Sequence, residues 1–218
     1  MSTLVIIPAR GGSKGVPRKN IRPIAGHPLL AWTIAAAKKS SLPRPVVSTE
    51  DAQIASIARL YGAEVLERPN ALAEDNTTTR DVLVHAVSTR PIEITEVILL
   101  QATSPIRRPG LIDRVVEAFR ADDWDSMATG SLQLQYPPHG VEHRRQDIKS
   151  VFINDGSVIA LKSQNLRNNT LFGRRAGTLL TSREENVDID EAFDFWLAEK
   201  VLEKALAEGW MSPPEEGP

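Results

Sequence analysis

The chain has 218 residues, of which 41% are hydrophobic and 25% charged, with a formal net charge of −2. That balance belongs to an ordinary globular chain, not a disordered or collagen-like one, and it lacks the basic field of a general nucleic-acid binder. The absence of cysteine excludes a disulfide scaffold, a Cys-zinc site and a thiol nucleophile and fits a reducing cytoplasm, and no apolar run approaches a membrane span or a signal segment.

The opening run Thr3–Pro8 is continuously apolar and β-branched, as a strand buried on both faces should be. A Gly-rich polar segment, Ala9–Asn20, follows it. His27–Lys39 reads as an amphipathic helix with Leu30, Ile34 and Ala37 on one face. Pro45–Ser48 reads as a second strand. Glu50–Tyr61 reads as a helix that Gly62 ends, and Ala63–Leu66 as a third strand. Thr77–Thr89 is helical in pattern, with Val82, Leu83 and Ala86 apolar. Val97–Leu100 is a fourth buried strand, running into Gln101-Ala102-Thr103-Ser104-Pro105. Pro109–Arg120 reads as a helix with Pro109 near its first position, and Ser126–Thr129 as a strand. The polar stretch 133–149 breaks the pattern as an excursion or hairpin. Val151–Leu161 holds two apolar runs split by Asn154-Asp155-Gly156, a hairpin-turn signal. Thr178–Leu180 is a short strand, and a long helix closes the fold from Glu191 to Glu208, with Phe193 and Trp196 read as core.

Strands alternating with helices imply a mostly parallel sheet covered on both faces, a three-layer α/β/α arrangement in a single domain over 1–218. In such sheets ligands bind at the carboxyl ends of the strands, which places the chemistry after the first and fourth strands. The segment Pro8–Asn20 carries Arg10, Lys14, Arg18 and Lys19, four cations within ten residues, beside Gly11, Gly12 and Gly15. Glycines let backbone N–H groups approach phosphate closely, and four cations match the charge of a nucleoside triphosphate. The segment is neither a dinucleotide fingerprint nor a P-loop. Gln101 and the hydroxyls of Thr103 and Ser104 can read a base or a sugar, or simply cap a turn. Asp188 and Asp190, at i and i+2, fall on one side of an extended segment and suit Mg²⁺; Asp190 equally suits the N-cap of the last helix. His27 and His85 read as structural. His139 and His143 could ligate metal only on a helix, which Pro138 and Gly140 oppose. Arg107 and Arg108 read as a solvated helix start.

Together the loop Ala9-Arg10-Gly11-Gly12-Ser13-Lys14-Gly15 through Lys19-Asn20, the turn Leu99–Pro105 and the pair Asp188-Ile189-Asp190 resemble the cytidylyltransferase family that activates sialic and related nonulosonic acids. Val47–Asp51 and Glu67-Arg68-Pro69 resemble its inner segments, and the resemblance spans residues 3–205. It implies a Rossmann-like nucleotidyltransferase fold. It also implies transfer of CMP from CTP to the anomeric hydroxyl of a nonulosonic acid, with release of pyrophosphate. By resemblance, Arg10, Gly12, Ser13, Lys14 and Lys19 hold the triphosphate. Asn20, Arg68 and Thr79 contact the cytidine. Gln101, Thr103, Ser104 and Phe172 meet the sugar acid, and Asp188 and Asp190 hold Mg²⁺. Lys19, Arg10 and Gln101 carry the catalytic roles. The proton acceptor is left open between a metal-bound water and either aspartate. A related transferase of another base or sugar, such as Kdo, and an inactive nucleotide-binding protein are the alternatives.

The resemblance further implies a homodimer, with the excursion 132–151 as the contact. That region is shorter here than in relatives, and Asp155-Gly156-Ser157-Val158-Ile159 stands where they carry Asn-Gly and an aromatic strand.

Overall fold

The structure, a computed structural model, describes residues 2–135, 146 and 148–217. The chain runs β1 (Thr3–Pro8), β2 (Pro23–Ile24), β3 (His27–Pro28), α1 (Leu29–Lys38), β4 (Val46–Thr49), α2 (Ala52–Leu60) and β5 (Glu64–Glu67). It continues through α3 (Thr79–Ser88), β6 (Glu96–Leu99), α4 (Leu111–Ala121), β7 (Ser126–Leu134) and β8 (Ser150–Lys162), and ends with α5 (Gln164–Arg167), β9 (Ala176–Leu180) and α6 (Ala192–Ala207). Short 3₁₀ turns at Lys19–Ile21 and Asn70–Ala73 interrupt the loops.

Seven strands form one sheet in the order β5-β4-β1-β6-β8-β7-β9. The first four are mutually parallel, β8 is antiparallel to both neighbours, and β7 pairs parallel with β9. Period-two alternation divides the core between the two faces. Val5, Ile7, Ile98 and Leu100 pack beneath α1, α2 and α4, while Leu4, Ile6, Val97 and Leu99 face α3 and α5. A third cluster joins Leu29 and Trp32 of α1 to Phe195, Ala198 and Leu202 of α6. The expected three layers therefore form, because each central strand is apolar on both sides. Each fully buried Ile or Leu contributes about 1.5–3 kcal/mol relative to exposure.

Several local expectations change. Asn154-Asp155-Gly156 does not turn the chain: β8 runs straight through it, paired with β6 on one side and β7 on the other. The register slips instead. Ala128 pairs with Ile159 and Gly130 with Asn154, leaving Thr129 opposite four residues. Gly156 takes φ +67° there, the same backbone demand a tight turn would make. α1 starts at Leu29 because His27 and Pro28 pair with Ile24 and Pro23 in a small ribbon. Gly110, not Pro109, caps α4. Asp190 is not the N-cap of α6; Glu191 is, in a reciprocal box with Asp194. Phe193 and Trp196 are exposed and stack on each other, since α6 buries Phe195 and its small residues instead. Residues 136–145 of the excursion, including His139 and His143, lie outside the described residues. No helix among the described residues is long and apolar enough to cross a membrane.

Asp51 shows how the sheet edge fixes a loop. Its carboxylate accepts from the N–H groups of Gln53 and Ile54, capping α2, and receives Arg18 Nη1 at 2.6 Å. The Arg18 hydrogen bond holds the Asp51 carboxyl below its ordinary value. Asp51→Ala should cost about 1 kcal/mol in urea unfolding through the lost cap. A depressed folded pKa adds stability above the unfolded value, about 3.9, and loses it as pH falls through the folded one. The variant and the parent should therefore converge in acid.

Candidate functional site

Four segments meet at the carboxyl ends of β1, β4 and β6: the loop 9–20, residues 67–79, the turn 101–105 and the extended segment 187–190. The first lies against the second across a cavity of 300 Å³. Of the residues singled out in the sequence, Arg10, Gly12, Ser13, Lys19, Asn20, Arg68, Thr79, Gln101 and Thr103 line it. The volume sits at the lower bound of small-molecule sites.

The loop is held by its backbone as much as by its charges. Gly11 N–H donates to Glu50 Oε1 at 2.6 Å, and Glu50 Oε2 receives both Nε and Nη2 of the buried Arg68 at 3.0 and 2.9 Å. Asn20, also buried, donates its amide to the Arg10 carbonyl at 2.9 Å. Glu50 thus ties the loop to one wall of the cavity, a role the sequence reading did not assign. Arg10 and Lys14 reach across to Asp75 at 3.1 and 2.7 Å. Lys14 does not line the cavity wall itself, and its ammonium is largely exposed. These two cations hold Asp75's carboxyl below its ordinary value, the Lys14 hydrogen bond most strongly. Thr78 caps α3 with a reciprocal Asp81 contact, so the N-terminal turn of that helix, at Thr79, opens on the cavity.

The acidic segment abuts the loop and the turn. Lys19 Nζ donates to the Ile189 carbonyl and lies 3.7 Å from Asp190 Oδ1. A Cβ at Gly15 would fall on the Asp190 carbonyl, so only glycine lets the loop and the segment touch. Ile189 N–H donates to the Thr103 carbonyl at 2.9 Å, and Ser104 Oγ lies 3.4 Å from Asp188 Oδ1. Asp188 keeps solvent access as a residue, but its carboxyl is partly desolvated. That raises its pKa; the Asp190 charge adds to the rise, while Thr103, Lys19 and Ser104 oppose it. Among the described residues no group of three His, Cys, Asp or Glu forms a protein-only metal cage. Asp188 and Asp190 nonetheless supply hard carboxylate oxygens of the kind that suits Mg²⁺.

Two of the sugar-side residues are placed differently. Ser104 is completely buried and its hydroxyl donates to the Asp155 carbonyl at 2.8 Å, so it braces the turn. Phe172 is not brought to the cavity. Its carbonyl accepts from Ser126 Oγ at the start of β7, level with Val97, at the opposite edge of the sheet. A residue carried over by type does not survive the path of the 168–175 loop.

Arg107 is 3% exposed, not solvated. It donates to the carbonyls of Gln101 (2.7 Å) and Ser157 (2.8 and 3.1 Å) and to Thr33 Oγ1 (2.9 Å). Burial pushes its pKa down to about 10, against the pull of Asp155 and Asp188, and it stays charged at neutral pH. The only sequence signal was its place just past a strand-end turn. The Gln101 side chain rests on Gly156, where any Cβ would come within 2.8 Å of it.

A family described as Cytidylyltransferase has a model that matches residues 4–206. A CMP-N,N'-diacetyllegionaminic acid synthase from Legionella pneumophila is 33% identical, covering 93% of this chain and 97% of its own. N-acylneuraminate cytidylyltransferases from Escherichia coli and Danio rerio (the latter the A form) are each 30% identical over 92% and 89% of this chain. The chain spans about half the length of those two, 52% and 49%. Among solved structures, a CMP:2-keto-3-deoxy-manno-octonic acid synthetase complexed with CTP superposes with a TM-score of 0.72 at 15% identity, covering 94% of this chain and 99% of its own. A 4-diphosphocytidyl-2C-methyl-D-erythritol synthase from Anaerococcus prevotii follows at 0.66 and 11% identity, covering 93% and 98%. At these identities the two structures speak for the Rossmann-like fold.

Arg107→Met should take both of its bonds from the buried Ser157 carbonyl and leave the Gln101 carbonyl only the longer contacts from Ser104 N–H and Thr33 Oγ1. At about 1–3 kcal/mol for an orphaned group, the loss should be roughly 2 kcal/mol in urea unfolding. A loss below about 1 kcal/mol would mean that the turn and β8 hold together without it.

Proposed function

The chain belongs to the cytidylyltransferase family, and from that premise we propose that it transfers CMP from CTP to the anomeric hydroxyl of a nonulosonic sugar acid, releasing pyrophosphate. One observation carries the reading. The loop 9–20 and the turn 101–105 line one cavity, and the segment carrying Asp188 and Asp190 abuts it where Lys19 meets Ile189 and Asp190. The 33% identity to a diacetyllegionaminic acid synthase across nearly both whole chains supports a nonulosonic acceptor.

In this reading Arg10, Ser13, Lys14 and Lys19 hold the triphosphate, with Gly12 letting the backbone approach it. Binding of the triphosphate replaces Asp75 as the partner of Arg10 and Lys14. Asn20, Arg68 and Thr79 line the cytidine end. Gln101 and Thr103 orient the sugar acid, and Asp188 and Asp190 would hold Mg²⁺. When bound, Mg²⁺ shields phosphate charge and stabilises the leaving pyrophosphate. The acceptor hydroxyl oxygen forms its bond to the α-phosphorus as the bond from that phosphorus to the bridging oxygen of the β-phosphate breaks, pyrophosphate leaves, and the hydroxyl proton passes to Asp188, Asp190 or water. Negative charge accumulates on the phosphate oxygens, so the side chains act chiefly by fixing the approach and by preorganised charge. Lys19 is the most constrained of the cations. Its tether to the Ile189 carbonyl sets its ammonium before substrate arrives.

The homodimer is proposed on a separate observation. Val151 and Ile153, alternate residues of β8 and so on one face of the β7–β8 ladder leading to the excursion, are 41% and 42% exposed. Exposed apolar side chains sharing a face of a ladder are a surface that a second copy would cover.

Two outcomes are expected. With CTP and Mg²⁺, pyrophosphate release should occur with one nonulosonic acid from a panel that includes N-acetylneuraminate, Kdn, legionaminate, pseudaminate and Kdo. Lys19→Ala should lower kcat about 10²–10³-fold. Release with none of the acids, together with no CTP-induced rise in melting temperature, would overturn the reading. In sedimentation velocity the protein should run at twice its chain mass, and Val151→Glu with Ile153→Glu should return it to the monomer.

A further inference from the structure

The bulge in β8 places a carboxylate where no ligand role has been given to it. Asp155 is 5% exposed. Its Oδ1 accepts from Thr129 Oγ1 at 2.5 Å and from Ser157 N–H at 2.9 Å, fixing it to β7 and to its own strand. Its Oδ2 accepts from Thr181 Oγ1 at 2.9 Å and from Asn186 Nδ2 at 3.3 Å. Those two donors flank the stretch that leads from β9 to the acidic segment, and Asn186 stands two residues before Asp188. The Asp155 carbonyl takes the Ser104 hydroxyl that also lies against Asp188, and the adjoining Gly156 supports the Gln101 side chain.

We propose that Asp155 is a positioning residue that sets the distance between the sugar-acid end of the site, at Gln101, and the carboxylate pair Asp188/Asp190. The proposal rests on the cytidylyltransferase reading and concerns how its Mg²⁺ end is built. Three features carry it. Both oxygens are saturated by donors, one from the sheet and one from the segment, so the carboxylate works as a bridge with a defined direction. The bridge is buried, where each such bond is stronger than at the surface and a lost partner costs more. The segment 181–190 has no helix or strand of its own, and its described contacts to the sheet run chiefly through Asp155, Gly130 and Thr103. With Asp155 shortened, Asp188 would keep its chemistry but lose its place, which weakens Mg²⁺ binding while Arg10 and Lys14, anchored at Asp75 and not at this segment, still hold the triphosphate.

The test compares wild type, Asp155→Ala, Asp155→Asn and Asn186→Ala. For each, the melting-temperature rise caused by CTP is measured in EDTA and then as Mg²⁺ is titrated back. kcat is measured over the same Mg²⁺ range. Asp155→Ala should keep the CTP rise in EDTA and need about tenfold more Mg²⁺ for the second rise and for half-maximal kcat. Asp155→Asn should recover only part of the difference: its amide oxygen still accepts from Ser157 and Thr129, but its NH2 group faces Thr181, which can accept, and the Asn186 amide, which must flip to do so. Asn186→Ala should raise the Mg²⁺ requirement about threefold with the sheet contacts of Asp155 intact, and it decides the matter if Asp155→Ala fails to fold. An unchanged Mg²⁺ requirement in Asn186→Ala and in any folded Asp155 variant would overturn the proposal. So would a loss of the CTP rise in EDTA equal to the loss of the Mg²⁺ rise. Wild type showing no CTP rise at all would instead overturn the cytidylyltransferase reading itself.

Discussion

A loop with Arg10, Lys14, Arg18 and Lys19 in ten residues repels itself, and its backbone N–H groups have no strand to pair with. It persists only because other parts of the chain answer it. Glu50 takes a peptide N–H, Asp51 takes Arg18, Asp75 takes Arg10 and Lys14, and the Ile189 carbonyl takes Lys19. The answering groups come from the end of β4, the stretch before α3 and the approach to α6. Placing them around one loop requires β1 to lie between β4 and β6 with their carboxyl ends level. The sheet order is therefore a condition for concentrating positive charge at that edge, and the same anchors become walls of the cavity.

The anchors differ in strength for a physical reason. The Glu50–Arg68 pair is buried, and its remaining carboxylate oxygen is satisfied by Gly11, so it holds a fixed geometry. Asp75 and its two cations sit in solvent, where hydration and salt screening keep such pairs weak. A bound polyphosphate can displace the second kind of contact and not the first. The loop is thus firm at its base and exchangeable at its tip.

Much of this was legible in the sequence. β1, β4 and β6 were readable because continuous apolar runs have few other uses in a chain of this composition. The position of the chemistry then followed from the chirality and layering of parallel sheets. β8 was not readable as a single strand. Asp-Gly reports only a local demand for positive φ, and a turn and a bulge make that demand equally; the pairing on both sides of β8 decides between them. Arg107 was taken for a solvated residue because nothing in its neighbours announces three buried acceptors. Phe193 and Trp196 misled by size, since the helix packs through Ala198, Leu202 and Ala205, which permit close approach. Phe172 failed for a different reason. A residue type can be transferred between relatives, but the course of the loop that carries it cannot.

Beyond the slip in register, β7 and β8 pair again from Gly130 opposite Asn154 to Leu134 opposite Ser150. This outer ladder is a clamp of its own, set between the bulge and whatever joins residue 135 to residue 149. An insertion or deletion made past the clamp changes the connection without passing a shift in register back to Asp155 or Gly156. Selection could therefore lengthen, shorten or rewrite that connection while the centre stayed in place. The fold thus separates the centre from a connection that can change without disturbing it, and chains that share the chemistry need not share the way they meet one another.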